Sequence, residues 1–443
     1  MVERASIKAH SRRQMHEKAR GLGGIGRERQ AEIYLGGLRG RKPAVPVAAG
    51  LLEERARETM SRSGFAYVAG GAGLEKTIDA NRAAFERWRI VPRVLHDVAE
   101  RHCGIELFGQ QLDSPFLLAP IGVLEAVHRD ADRAVARAAA AEGVPMIFSN
   151  QASVAMEECV RAMGDAPRWF QLYWSTSNEL VASFVRRAEA CGCGAIVVTL
   201  DTTLFGWRPR DLDLAFLPFA LGKGIAQYTS DPVFDRLVGE EKDMPAASPG
   251  RITVTAVLSL IELARSYPGS FLSNLVSSRP RAAVRLFLEI YSRPSLRWDD
   301  LSFLRDLTSL PILLKGVLNP DDARAAVEHG VDGVIVSNHG GRQVDGAIAS
   351  LDALPAIVGA VGGEIPILLD SGIRGGADAF KALALGARAV LIGRPYAYGL
   401  GIAGERGARE VIRNFRAEFD LTMGLAGCGS VSEIRPAMVT RAD

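Results

Sequence analysis

Cysteine is scarce in this 443-residue chain, and the five that occur, Cys103, Cys159, Cys191, Cys193 and Cys428, are an odd number without a Cys-x-x-Cys spacing. That pattern argues against a secreted disulfide framework and against a zinc site, so a reducing, cytoplasmic compartment and no bound metal are expected. Cys191 and Cys193 flank one glycine where a helix is expected to end before a strand. No apolar run approaches the roughly 18 residues needed to span a bilayer. The first 30 residues carry Arg12, Arg13, Lys18, Arg20, Arg27 and Arg29 but no apolar signal core, and are read as a basic, flexible tail. Its GLGGIG stretch matches G-x-G-x-x-G, yet no predicted strand precedes it, so a dinucleotide-binding reading fails on context. Excess charge is missing as well: 53 basic against 51 acidic residues leave +2, which gives no overall field toward nucleic acid or an anionic membrane.

What is present is a repeat of short apolar runs and Ala-rich segments of helical period, the pattern of βα units. The runs are PFLLAPIG (115–122), VPMIFSN (144–150), RWFQLYW (168–174), AIVVTLD (195–201), PILLKG (311–316), GVIVSNH (333–339), PILLDSG (366–372) and AVLIGRP (389–395). Eight such strands predict an α/β fold, a (β/α)8 TIM barrel, and the length suffices for the roughly 250 residues it needs. The surplus sits at about 211–297, after the fourth strand, and reads as a lid with some helix, since long loops at that end of a barrel are commonly functional. The expected organisation is a tail over 1–30, an N-terminal extension over 31–110, the barrel over 111–425 and a C-terminal tail over 426–443.

In this fold chemistry lies at the C-terminal ends of the strands, so those ends give the candidate equipment. Gly372, Gly375 and Gly376 precede a helix, and Gly393 with Arg394 follows the eighth run, where barrels commonly bind phosphate; Arg374 and Arg394 add charge at that corner. Ser149, Gln171 and Thr199 are neutral hydrogen-bonding groups suited to the edge of a planar heterocycle, and Lys315 supplies a fixed cation beside it. Of seven histidines only His339 stands at a strand end. Arg342 follows three residues later, Arg208 follows the fourth strand, and Tyr67 and Tyr173 offer phenol donors. A carboxylate held by two arginines with a histidine beside its α-carbon is what proton abstraction from a 2-hydroxy acid requires, and Asp201 would orient the imidazole. Arg210, in RPRD, has an exposed turn as its competing reading.

These residues resemble the FMN-dependent L-2-hydroxy acid oxidase and dehydrogenase family. The resemblance runs over about residues 60–425 in order: GFAYVAGGAG, APIG, FQLY, TLDT, LLKG, SNHGGRQ, DSGIRGG and IGRP. It implies His339 as the catalytic base, with Asp201 and Tyr173 assisting, and Tyr67, Tyr173, Arg208, His339 and Arg342 on the substrate. It also implies FMN held by Pro120, Ile121, Gly122, Ser149, Gln171, Thr199, Lys315, Ser337, Asp370, Gly372, Arg374, Gly393 and Arg394.

Within the family, EIYLGGLRG, TLDTTLFGWRPRDL, TSDPVF and IGRPYAYG look most like lactate 2-monooxygenase. That branch implies L-lactate and O2 giving acetate, CO2 and water, because the keto acid stays bound and meets the peroxide formed at the flavin. The alternatives are an oxidase releasing 2-keto acid and H2O2, a quinone-linked dehydrogenase, and, in a different class, an FMN-dependent isomerase. Family resemblance further implies a homotetramer or octamer. The apolar piece LAFLPFALG (214–222) is read as lid packing rather than a membrane contact, and Gly122 is read as leaving room near the flavin.

Overall fold

The computed structural model describes residues 24–240 and 253–442. Eight parallel strands close into a barrel: β1 (Phe116–Leu118), β2 (Met146–Phe148), β3 (Arg168–Leu172), β4 (Ile196–Thr199), β5 (Ile312–Val317), β6 (Gly333–Val336), β7 (Ile367–Leu369) and β8 (Ala389–Ile392). Seven fall inside the expected runs, and β5 runs one residue past its run, to Val317. Neighbours follow chain order, and β8 closes on β1 with Leu391 opposite Leu117. Every strand residue except Gly316 is buried. Strands covered on both faces have no reason to alternate polar and apolar residues, which is why they appear in sequence as continuous apolar runs.

The helices between them start and stop on local signals. Asn319 Oδ1 accepts from the amide of Asp321 at 2.9 Å ahead of Pro320–Glu328, with Pro320 in the first turn, where its missing N–H costs nothing. Ala131–Glu142 ends on Gly143 at φ 64°. Cys191 and Cys193 do lie between the helix Asn178–Ala190 and β4.

The excursion after β4 is more helical than expected. Its described residues form Pro209–Asp213, Ala226–Thr229, Pro232–Glu240, Val254–Ser266, Phe271–Val276 and Arg279–Ile290. An aromatic cluster holds it: Tyr228 lies 4.8 Å from Phe287 and 5.0 Å from Phe184 of the β3–β4 helix, and Phe219 lies 5.1 Å from Phe287. Phe219, from the apolar stretch 214–222, is fully buried there. Aromatics dispersed over several short helices carry no single period, so the sequence pattern understated the helix content. Part of the stretch that is hardest to read in sequence, 241–252, lies outside the described residues. Among the described residues no helix is long and apolar enough to cross a membrane.

The boundary of the basic tail at residue 30 needs correction. A helix already begins at Gly24 and runs to Gly37. The amide of Gly26 donates to Asp420 at 2.9 Å, and buried Arg29 donates to Asn414 at 2.9 Å and Glu410 at 3.4 Å on the long C-terminal helix Arg394–Leu425. Arg29, one of the basic residues of the expected tail, thus pairs across the fold instead of facing water. The rest of the expected tail, residues 1–23, lies outside the described residues. At the other end, Val439–Arg441 pairs antiparallel with Trp88–Ile90 and fastens the C-terminus to the extension.

Candidate active site

A cleft enclosing about 930 Å³, counting the space open at its mouth, lies at the C-terminal ends of the strands. Into it face Pro120, Ile121 and Gly122 after β1, Tyr173 after β3, Arg208 after β4, and Lys315 of β5. The loops after β6, β7 and β8 add His339 and Arg342, then Asp370, Gly372 and Arg374, then Gly393 and Arg394, and the extension adds Tyr67.

The abrupt end of β6 in SNHGGRQ has a conformational cause. His339, Gly340 and Gly341 have φ of 57°, 66° and 76°, three left-handed residues in a row. The glycines suit that conformation, and a Cβ on Gly341 would come within 2.8 Å of the Ile78 nitrogen. His339 has no such excuse, and its conformation costs on the order of 1–3 kcal/mol, which surrounding bonds must offset. They are present: His339 N–H donates to Ser337 Oγ at 3.0 Å, Gly340 N–H to Ser371 Oγ at 3.0 Å, and Gly341 N–H to Asn338 Oδ1 at 3.1 Å. Asn338 is itself clamped by Asn81 of the extension through reciprocal amide bonds of 2.8 and 2.7 Å.

Asp201 Oδ1 lies 2.8 Å from His339 Nδ1, and Thr202 Oγ1 donates to the same carboxylate oxygen at 3.1 Å. Asp201 can sit there because β5 bulges at Lys315–Val317: a Cβ on Gly316, at φ 105°, would come within 2.7 Å of the Asp201 Cβ. Burial pushes the Asp201 carboxyl up, but His339 and Lys315 outweigh it and hold it at about 2. Burial also pushes the imidazole below its usual value, with Asp201 opposing. The result at neutral pH is a neutral imidazole backed by an ionised carboxylate, the state a general base needs.

Four arginines stand in the cleft with this base, and among the described residues none of their guanidinium groups has a carboxylate as a hydrogen-bond acceptor. Arg208 is buried and donates to Arg342 O at 3.2 Å and Gln343 Oε1 at 2.8 Å. Arg342 donates to the carbonyls of Tyr67 and, at 2.9 Å, Gly70, with its guanidinium 5.0 Å from the Tyr67 ring centre. Arg394 donates to Val68 O, Gly340 O and Gly70 O at 2.8–2.9 Å, and Arg374 to Ile373 O at 3.1 Å. The carbonyls of Tyr67, Val68 and Gly70 close the helix Arg62–Ala69, whose negative end partly compensates two of these cations. Burial and then Arg342 push Arg208 down to about 10, still fully charged at neutral pH. A cleft so lined is fitted to anions at two places: one at Arg374 and Arg394, as a cofactor phosphate demands, and one at Arg208 and Arg342 beside the base, as a substrate carboxylate demands.

Ser149, Gln171, Thr199 and Ser337 stand behind the wall of the cleft, and with Lys315 and Asp370 of its lining they tie strands together. Ser149 Oγ donates to Gln171 Oε1 at 3.1 Å and Gln171 Nε2 to Thr199 Oγ1 at 3.0 Å, linking the ends of β2, β3 and β4. Lys315 Nζ donates to Ser337 Oγ at 2.8 Å and pairs with Asp370 at 3.1 Å. Burial opposes the lysine's charge, but Asp370 and Asp201 outweigh it and push Lys315 up, so it is a fixed cation. Arg210 does not line the cleft; it is exposed, but in the short helix Pro209–Asp213 rather than a turn, and it pairs with Glu75.

Sequence reasoning missed several contributors. Thr202, Phe205 and Ser371 line the cleft; Gln343 bridges Arg208 to the Asp201 carbonyl, which it reaches at 2.8 Å. Gln151 lines it too, one residue beyond where VPMIFSN was read to end. Extending the strand-end search by one residue would have found Thr202 and Gln151, and Gln343 directly follows Arg342; Asn81 carries no local signal. The expectation for Gly122 also changes: a Cβ there would lie 3.0 Å from both the Cβ and the carbonyl oxygen of Gln151. The space that glycine leaves is occupied by Gln151.

Comparison with known proteins gives a consistent picture. A family model described as FMN-dependent dehydrogenase matches residues 56–441. An L-lactate oxidase of Lysinibacillus sphaericus is 41% identical over 90% of this chain and 94% of its own length. An FMN-dependent alpha-hydroxy acid dehydrogenase of Penicillium citrinum is 42% identical, with 91% and 93% covered. Among solved structures, a mandelate oxidase superposes with a TM-score of 0.71 at 34% identity, covering 90% of this chain and 99% of that one.

Proposed function

This chain belongs to the FMN-dependent dehydrogenase family and is an FMN-dependent 2-hydroxy acid oxidoreductase, and from that premise we propose that its cleft oxidises a small L-2-hydroxy acid at C2 with O2 as the final acceptor. The observation that carries the reading is the Asp201–His339 pair, a neutral base 2.8 Å from its carboxylate, set in one cleft with Arg208 and Arg342.

FMN, when bound, supplies a two-electron acceptor whose reduced form reacts with O2. Arg374 and Arg394, with Gly372 and Gly393, would hold its phosphate, and Lys315 would set a fixed positive charge beside its ring. Pro120, Ile121, Gly122, Ser149, Gln171, Thr199, Ser337 and Asp370 would complete the cofactor pocket. Arg208 and Arg342 bind the substrate carboxylate, and Tyr67 and Tyr173 donate to its oxygens. His339 Nε2 takes the proton released as C2 is oxidised, while Nδ1 stays on Asp201, whose charge stabilises the imidazolium that forms. Burial keeps both phenols protonated, so they serve as donors.

A second reading, L-lactate with O2 to acetate, CO2 and water, is favoured by the folded lid. Phe205 lines the cleft and also packs 6.0 Å from Phe219 and 6.1 Å from Tyr291 of the lid, an arrangement suited to retaining a keto acid until it meets peroxide. The test mixes holoenzyme anaerobically with L-lactate, follows flavin bleaching, then admits O2 and quantifies products. Bleaching supports 2-hydroxy acid oxidation; acetate supports retention, and pyruvate with stoichiometric H2O2 supports simple oxidase turnover. A flavin that no small 2-hydroxy acid bleaches sinks the proposal.

A further inference from the structure

We infer that Gln343 is a positioning residue: its side-chain amide holds Arg208 in place for the substrate carboxylate before substrate arrives. The inference rests on the proposed 2-hydroxy acid oxidation and deepens it, since Gln343 is not part of the cleft lining and acts only through its neighbours. Its amide is used at both ends. Nε2 donates to the main-chain carbonyls of Asp201 at 2.8 Å and Leu204 at 2.9 Å, and Oε1 accepts from Arg208 Nη2 at 2.8 Å. Turned over, the amide would set its NH2 against the guanidinium and its oxygen against two carbonyls, so a single orientation satisfies all three partners.

Arg208 depends on that contact. It is buried, and its hydrogen-bond acceptors among the described residues are Gln343 Oε1 and, at 3.2 Å, the carbonyl of Arg342. Arg342 is itself a cation in the same cleft, so the two guanidinium groups repel until a carboxylate lies between them. A neutral amide oxygen steadies Arg208 without cancelling its charge, which a carboxylate in that place would do. A clamp held in its binding geometry beforehand loses less freedom when substrate enters. A second contact shows that the two loops are fitted to each other: a Cβ on Gly206 would run into the Arg342 carbonyl oxygen and come within 2.9 Å of the Gln343 Cα. Asp201 and Arg208 stand on the loop after β4, His339 and Arg342 on the loop after β6. The same bridge therefore fixes the clamp relative to the base.

The test is a double-mutant cycle on holoenzyme. Its readout is the second-order rate of anaerobic flavin reduction by L-lactate, or by the small 2-hydroxy acid that reduces the native flavin fastest. Gln343→Met, similar in length and without an amide, should lower that rate about 10- to 100-fold, the range of one hydrogen bond to a charged group. The fall should lie in the substrate dissociation constant, with the limiting rate at saturation within about threefold of native. In an Arg208→Met background the same change should cost less than about threefold, because the group that the amide holds is gone. Gln343→Glu, which keeps the acceptor but neutralises Arg208, should be at least as slow as Gln343→Met. Where Gln343→Met does not retain FMN, Gln343→Leu is carried through the same cycle. Equal fold losses in both backgrounds overturn the inference by making Gln343 merely structural. A Gln343→Glu protein as fast as native, or a loss confined to the limiting rate, overturns it too. A native flavin that no small 2-hydroxy acid reduces would instead defeat the underlying oxidation reading.

Discussion

Replacing Asp201 with asparagine keeps the shape behind His339 and removes the charge. The Asp201 oxygen lies 2.8 Å from Nδ1, so the centres of the two charges in the protonated pair are about 4 Å apart. At an effective dielectric of about 20 that attraction is on the order of 4 kcal/mol. If the imidazolium is well developed in the transition state, losing it slows the oxidation step by about a thousandfold, at 1.4 kcal/mol per decade. The pH profile moves in a definite direction. Asp201 raises the histidine against burial, so its removal lowers the imidazole further and shifts the acid limb of flavin reduction to lower pH. Gln343 holds the main-chain carbonyl of Asp201 and is untouched, so the backbone should stay in place. The assay is anaerobic stopped-flow reduction of the bound flavin from pH 5 to 9, with the visible spectrum confirming that FMN remains. Reduction within tenfold of native with an unmoved acid limb would refute the assignment of Asp201 as the charge behind the base.

Other consequences can be checked independently. Arg374→Ala removes a charge-assisted contact worth about 1.5–3 kcal/mol to the cofactor phosphate, so FMN affinity should fall by roughly 10- to 150-fold in fluorescence titrations of apoprotein; native affinity would remove Arg374 from the phosphate site. Asp132 is buried near the first βα loop, and burial pushes its carboxyl up to about 7. Its folded value is raised, so its stabilising contribution is complete below pH about 4 and is lost as pH climbs through 7, roughly 4 kcal/mol in all. Asp132→Asn should therefore gain stability relative to native protein between pH 5 and 8 in thermal melts, and a constant difference would contradict the burial argument. Asn81→Ala breaks the clamp on Asn338, a loss of about 1–3 kcal/mol in the loop carrying His339. Flavin reduction at saturating substrate should slow about tenfold, with faster amide exchange over 337–343; unaltered exchange would show that Asn81 does not hold the loop.

The eight strands were legible because strands buried on both faces have to be apolar throughout, and each was bounded by turn formers. The strand-end chemistry was legible for a related reason: a βα barrel sends the residues after each strand to one mouth, so a linear list of ends becomes a spatial cluster. His339, Asp201, Arg208 and Arg342 met in the cleft on that logic. The lid was harder, because Phe219, Tyr228, Phe234 and Phe287 make one core from separate short helices. Residues 24–30 were misread because a basic composition does not say whether a charge such as that of Arg29 faces water or a partner such as Glu410.

The sequence by itself determined the barrel, the order of its strands, the base and its acid partner, and the anion-binding character of both ends of the cleft. Those properties depend on residue type and on distance along one strand or loop. Tertiary structure decided what supports them. Asn81 reaches Asn338 across 257 positions, and Gly316 clears space for Asp201. Gly122 yields its volume to Gln151, turning what looked like open space into an unpaired donor. Each is a contact between segments distant in the chain, and a contact of that kind has no period or local spacing by which a sequence could announce it.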